Sequence, residues 1–225
     1  MSDESIFREV DEEVRNEQLK KLWDKYGIYV ISACIGVIAA VGGIKGWQAY
    51  QQSTAEAAGD RYAQAVELLE KGDTTEAEKI FSELASGGPA GYGALANFQI
   101  AAAMVNAGKV REAISAYDVI AGDGDLDQMM RNLARIKAGL LAVDSSSVAD
   151  IEARIGDLNT RDNPWRNAAR EIIALAAFKS GDVQKADRLY TEIIGDLSAP
   201  QGMRERAQIM ISLLQPKLQS APAQN

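Results

Sequence analysis

Three stretches of this chain align with one another without a gap: GDTTEAEKIFSEL from Gly72, GKVREAISAYDVI from Gly108 and GDVQKADRLYTEI from Gly181. Each has Gly first, Ala five residues on, an aromatic nine on and Leu or Ile twelve on. These are Gly72, Ala77, Phe81 and Leu84; Gly108, Ala113, Tyr117 and Ile120; Gly181, Ala186, Tyr190 and Ile193. On a helix the last three of each set share one face. Glycine is the residue that closes a preceding helix in the left-handed conformation. Ala65, Ala101 and Ala174 stand seven residues before the glycines and offer small facing positions. Each copy therefore reads as a helix–turn–helix that must stack on its neighbours to bury its apolar face.

The first two glycines are 36 residues apart and the last two 73, so the spacing predicts a worn copy between them. Asp144 takes its glycine slot, Ala149 its alanine slot, and Ala153 and Gly156 replace the aromatic and the aliphatic. That pair is expected to pack less tightly. Asn163-Pro164-Trp165 supplies a cap and a first-turn proline for the next helix, and Pro89 and Pro200 mark helix boundaries. Residues 201–215 form a last amphipathic helix covering the open end, with a disordered tail over 216–225. The period and the A-x-x-x-[FY] pattern resemble the tetratricopeptide repeat. The expected fold is all-α, with a repeat domain over 55–215.

Ahead of the repeats, Gly27 to Ile44 is an 18-residue run without a charge. About 20 apolar residues cross a bilayer core. Tyr26, Tyr29, Trp47 and Tyr50 place amphipathic rings at both edges. A transmembrane helix is expected over 27–47. Arg8, Arg15, Lys20, Lys21 and Lys25 precede it, whereas only Lys45 and then Arg61 follow, so the N-terminus is expected to stay in the cytoplasm. Residues 1–26 read as a cytoplasmic lead-in helix with Ile6, Phe7, Val10, Val14, Leu19, Leu22 and Trp23 near one face. Ser32, Gly36 and Ala40, and separately Gly42 and Gly46, recur at a spacing that lets membrane helices approach closely. Ile31-Ser32-Ala33-Cys34 is similar to a lipoprotein acylation motif, but ten apolar residues follow Cys34 where such a protein turns polar.

The composition narrows the chemistry. With no His and one Cys, the chain lacks His-based nucleophile activation, His metal sites and any internal disulfide. A net charge of −8 argues against nucleic acid. The run Asp123-Gly124-Asp125-Leu126-Asp127 lacks the Gly and Glu that a calcium loop requires, and reads as an inter-repeat loop. No phosphate loop or nucleophile elbow is present, so no cofactor, metal, small-molecule substrate or catalytic residue is expected.

Binding is the expected role. Stacked hairpins expose a surface lined by the first helix of each pair. Arg131, Asn132, Arg135 and Arg170 are basic or polar side chains on such helices in an acidic domain, and are the candidate partner contacts; pairing with the domain's own acids is the alternative.

The acidic lead-in Ile6-Phe7-Arg8-Glu9-Val10-Asp11-Glu12-Glu13, the span 27–44, Pro164-Trp165-Arg166 running into Ala174-Leu175-Ala176, and the repeats from Gly72 and Gly181 together resemble the YfgM-like family of ancillary SecYEG translocon subunits. That resemblance implies a bacterial inner-membrane protein with a periplasmic repeat domain, contacting the translocon, periplasmic chaperones and secreted clients. Two other readings stand beside it: an envelope scaffold for cell-wall or division machinery, and an outer-membrane assembly lipoprotein acylated at Cys34. Self-association is left open.

Overall fold

The structure is a computed structural model and describes residues 3–220, which are helical with no strand among the described residues. The chain divides into two units, Met1–Ala57 and Ala58–Asn225.

The first unit is the greater part of helix α1, Asp3–Glu70. Nothing in that stretch breaks a helix, since the first proline is Pro89. The expected divisions at 26 and 47 thus fall inside one unbroken helix. From Trp23 it is long and apolar enough to cross a membrane. Gly27 lies under the Trp23 ring, and the Trp47 and Tyr50 rings sit 6.1 Å apart at the other end of the apolar run. The side chains of the expected lead-in face, Trp23 excepted, lie outside the described residues.

The second unit is built from hairpins. The end of α1 pairs with α2 (Thr74–Gly87), α3 (Ala90–Asn106) with α4 (Val110–Gly122), α5 (Gln128–Ala142) with α6 (Val148–Ile155), and α7 (Arg166–Ser180) with α8 (Val183–Gly195); α9 (Gln201–Ser220) follows. At three of the turns the repeat glycine does what its position predicts. Gly72, Gly108 and Gly181 have φ of 86°, 74° and 84° and are the positive-φ residues among those described. Each closes its helix in the same way. The glycine N–H donates three residues back, as Gly72 does to Leu69 O at 3.1 Å. The next N–H donates five back, as Asp73 does to Leu68 O at 2.9 Å.

The +5, +9 and +12 positions of all three copies are buried, as are Ala65, Ala101 and Ala174. Small residues face each other across each hairpin, and Phe81, Tyr117 and Tyr190 fill the volume one turn further on. Burial of each such ring contributes about 1.5–3 kcal/mol.

The worn copy exists, but two residues later than expected. Ala149 is exposed, and the core is made instead by Ile151, Ile155 and Leu158, the last on a 3-10 turn over Gly156–Leu158. No residue between α5 and α6 has positive φ. The chain reverses instead through Ser145 and Ser146, whose N–H groups donate to Ala142 O at 3.0 and 2.9 Å. Ser147 then starts α6 in a reciprocal capping box with Asp150. Measured from the cap, Ile151, Ile155 and Leu158 occupy the slots of Ala77, Phe81 and Leu84. Gly139 occupies that of Ala65. It faces Ile155, the residue in the slot of Phe81.

Two boundaries also differ. Asn163 Oδ1 accepts from Trp165 N at 2.9 Å, so Pro164 lies in a turn and α7 begins at Arg166. The expected tail starts too early: α9 continues through Pro216 to Ser220, because Leu214 is buried, Leu218 packs on the core and the Lys217 ammonium sits 4.6 Å from the Phe178 ring centre. Residues 221–225 lie outside the described residues.

Candidate protein-binding groove

The charges of the repeat domain are sorted by layer. Helices α3, α5, α7 and α9 carry nine bases and two acids; α2, α4, α6 and α8 carry five bases and nine acids. Much of the excess is neutralised between layers. Arg135 donates from Nε and Nη2 to Arg154 O at 3.0 and 2.6 Å, and from Nη1 to Asp157 at 2.9 Å. Those bonds hold the Asp157 carboxyl below the usual carboxylate range. Arg170 donates to Asn159 Oδ1 at 2.7 Å and pairs with Glu192 and Asp196 at 3.2 and 3.3 Å. Arg166 grips the same Asp196 at 2.6 and 3.0 Å, and Lys179 pairs with Asp144.

The four expected contact residues therefore separate. Arg135 and Arg170 spend their guanidinium groups on the domain's own acceptors. Arg131 and Asn132 are linked at the start of α5 through Gln128, which accepts from Arg131 Nη2 and donates to Asn132 Oδ1, each at 2.8 Å. Among the described residues no acid pairs with Arg131. On α1, Ser32, Gly36, Ala40, Gly42 and Gly46 are all exposed, and a Cβ added at any of the three glycines meets nothing within 4 Å. The acids once comparable to a calcium loop are local caps: Asp127 accepts from Met130 N and Asp123 from Asp125 N, each at 2.9 Å.

The larger opening is apolar. A groove of about 480 Å³ runs between α5, α7 and α9, lined by Ile136, Leu140, Ile172, Leu175, Ile209 and Met210. Arg206 and Glu171, paired at 2.7 Å, stand at its edge. Tyr190 lines it too, and burial, with the Glu171 charge second, pushes its hydroxyl up to about 12, so it stays neutral. A second opening of about 210 Å³ lies between α3 and α5, with Val105, Tyr117, Lys137 and Leu141. Leu140 lines both. Leu140 and Ile209 remain 53% and 62% exposed and line the same groove, so they form an apolar patch and not scattered single residues. Sequence reasoning missed this groove. The available signal was α9, where Ile209 and Leu213 continue an apolar stripe beyond the face that Ala207 and Leu214 bury.

Residues 20–218 match the tetratricopeptide repeat-like domain family. The chain belongs to that family. The match spans the three left-handed glycines, the displaced third hairpin and α9. Tetratricopeptide repeat-like domains are typically non-catalytic modules that bind other proteins on the surface formed by stacked hairpins, which is where this groove lies. No curated protein and no solved structure matches the chain.

Proposed function

We propose that the protein is a membrane-anchored adaptor at the bacterial Sec translocon, linking it to periplasmic chaperones and assisting secreted proteins as they emerge. The observation that carries this reading is the joining, in one chain, of a segment apolar enough to cross a membrane to a repeat domain with an open apolar groove. The five bases before the apolar run orient the anchor with its N-terminus in the cytoplasm and the repeat domain in the periplasm. The exposed glycines of α1 dock against another membrane helix, while the groove takes apolar stretches of a client or chaperone. Arg131 and Asn132, at the start of α5 and outside that groove, contribute further polar contacts.

Purification of the chain from bacterial membranes in mild detergent tests the reading. Co-purification of SecYEG in near-stoichiometric amount, reduced when Gly36 and Gly42 are replaced by Leu, is the expected result. Recovery of no Sec component, or of division proteins instead, overturns it.

A further inference from the structure

The apolar groove and the opening between α3 and α5 meet at Leu140, and they offer an entering chain different chemistry. The groove has three polar residues in its lining, Glu171, Tyr190 and Arg206. Arg206 donates to both Glu171 carboxylate oxygens, at 2.7 and 3.0 Å, so the pair satisfies itself. Tyr190 is 2% exposed, which leaves its hydroxyl out of reach of a row of main-chain groups. An extended segment pressed onto Ile136, Leu140, Ile172 and Ile209 would bury main-chain N–H and C=O groups without partners, at about 1–3 kcal/mol each. A helix pairs those groups internally and presents side chains alone. The groove is therefore suited to the apolar stripe of a helix.

The neighbouring opening supplies a charge. Lys137 lines it together with Val105, Asn106 and Tyr117. Most bases on α5, α7 and α9 are already neutralised: Arg135, Arg166, Arg170, Lys179 and Arg206 each pair with an acid. Lys137 differs. Among the described residues its ammonium has no carboxylate partner and stands 5.9 Å from the centre of the Tyr117 ring. Tyr117 brings it no negative charge, because burial pushes the phenol up. Asn106, exposed at the end of α3, adds an amide able to donate into the same opening. Both groups suit a carboxylate, and Glu171 does not oppose one because Arg206 neutralises it. We infer that the surface joined at Leu140 binds an amphipathic helix of a partner protein, its apolar stripe in the groove between α5, α7 and α9 and a flanking Asp or Glu against Lys137. The inference rests on the reading of the groove as the partner-binding surface and deepens it, specifying a helix and an acidic flank.

Two amidated peptides with an N-terminal fluorophore test it. Each is an alanine-rich helix with Leu at every third and fourth position; one carries Glu beside the stripe and the other Lys. Binding to the full chain in nonionic detergent is read by anisotropy, with empty micelles as the baseline. The Glu peptide should bind at least tenfold more tightly than the Lys peptide. Lys137→Glu, at an exposed position, should reverse that order and leave the thermal midpoint unchanged. Leu140→Asn should weaken the Glu peptide, and a proline at the centre of that peptide should abolish its binding. Equal affinities for the two peptides, an order that survives Lys137→Glu, or undiminished binding of the proline-interrupted peptide overturns the inference. Co-purification of SecYEG is read separately. Sec recovery without peptide discrimination removes the acidic helix alone, whereas discrimination without Sec recovery removes the translocon reading alone.

Discussion

Gly139 of α5 and Ile155 of α6 meet so closely that a Cβ on the glycine would stand 3.4 Å from both Cδ1 and Cγ2 of the isoleucine. The third hairpin closes through this contact, which joins the slot of Ala65 to that of Phe81. A β-branched side chain at 139 must displace Ile155. Gly139→Val should therefore lower stability by about 1–3 kcal/mol, read as a lower urea midpoint of the full chain in detergent. Ile155→Val in the same background should recover part of the loss. An unchanged midpoint in Gly139→Val would mean that the hairpin does not close on this contact.

Arg135 makes two kinds of bond whose worth differs. Its ion pair with Asp157 is exposed on the acid side, and such pairs contribute about 0–1 kcal/mol. Its two bonds to Arg154 O are charge-assisted and partly buried, each of the type worth about 1.5–3 kcal/mol. Arg135→Ala should then destabilise clearly more than Asp157→Ala in parallel denaturation curves. Equal losses would show that the ion pair, not the carbonyl, holds α5 to α6.

Asp196 is held by Arg166 first and then by Ser198, with Asn167 adding a weaker bond, and its carboxyl lies well below the usual carboxylate range. The folded value is thus depressed below the unfolded value of about 3.9. The contribution of the ionised group is full above that value and is lost as pH falls below it. Acidification below about pH 4 should weaken the α7–α8 end of the domain. Asp196→Asn should be less stable at neutral pH and show a flatter acid limb. An acid limb identical to that of the unmodified protein would place the acid-sensitive group elsewhere.

Most of the architecture was legible because a left-handed turn needs glycine. Gly72, Gly108 and Gly181 announced three hairpins and, through their spacing, the register of every buried residue around them. The third hairpin was legible only as a gap. Asp144 looked like a stand-in for glycine, but without a residue at ease at positive φ the chain used a longer turn, and the landmarks became Ser147 with Asp150, and Gly139. The binding surface was least legible. A helical wheel shows that Arg135 and Arg170 are basic but not that α6, α8 and the Asp196 loop bring acceptors to them. Nor does it show that Leu140 and Ile209, ordinary residues of amphipathic helices, stay uncovered when α5, α7 and α9 come together.

A photo-cross-linking residue placed at Leu140 or Ile209, and as a comparison at Val119, tests that surface in native membranes. Val119 is 74% exposed but lies on α4, outside the groove. The expected result is protein adducts from Leu140 and Ile209, containing Sec components or secreted polypeptides, and few or none from Val119. Adducts of equal yield from all three positions, or none from Leu140 and Ile209, would contradict the assignment of the groove as the partner-binding surface.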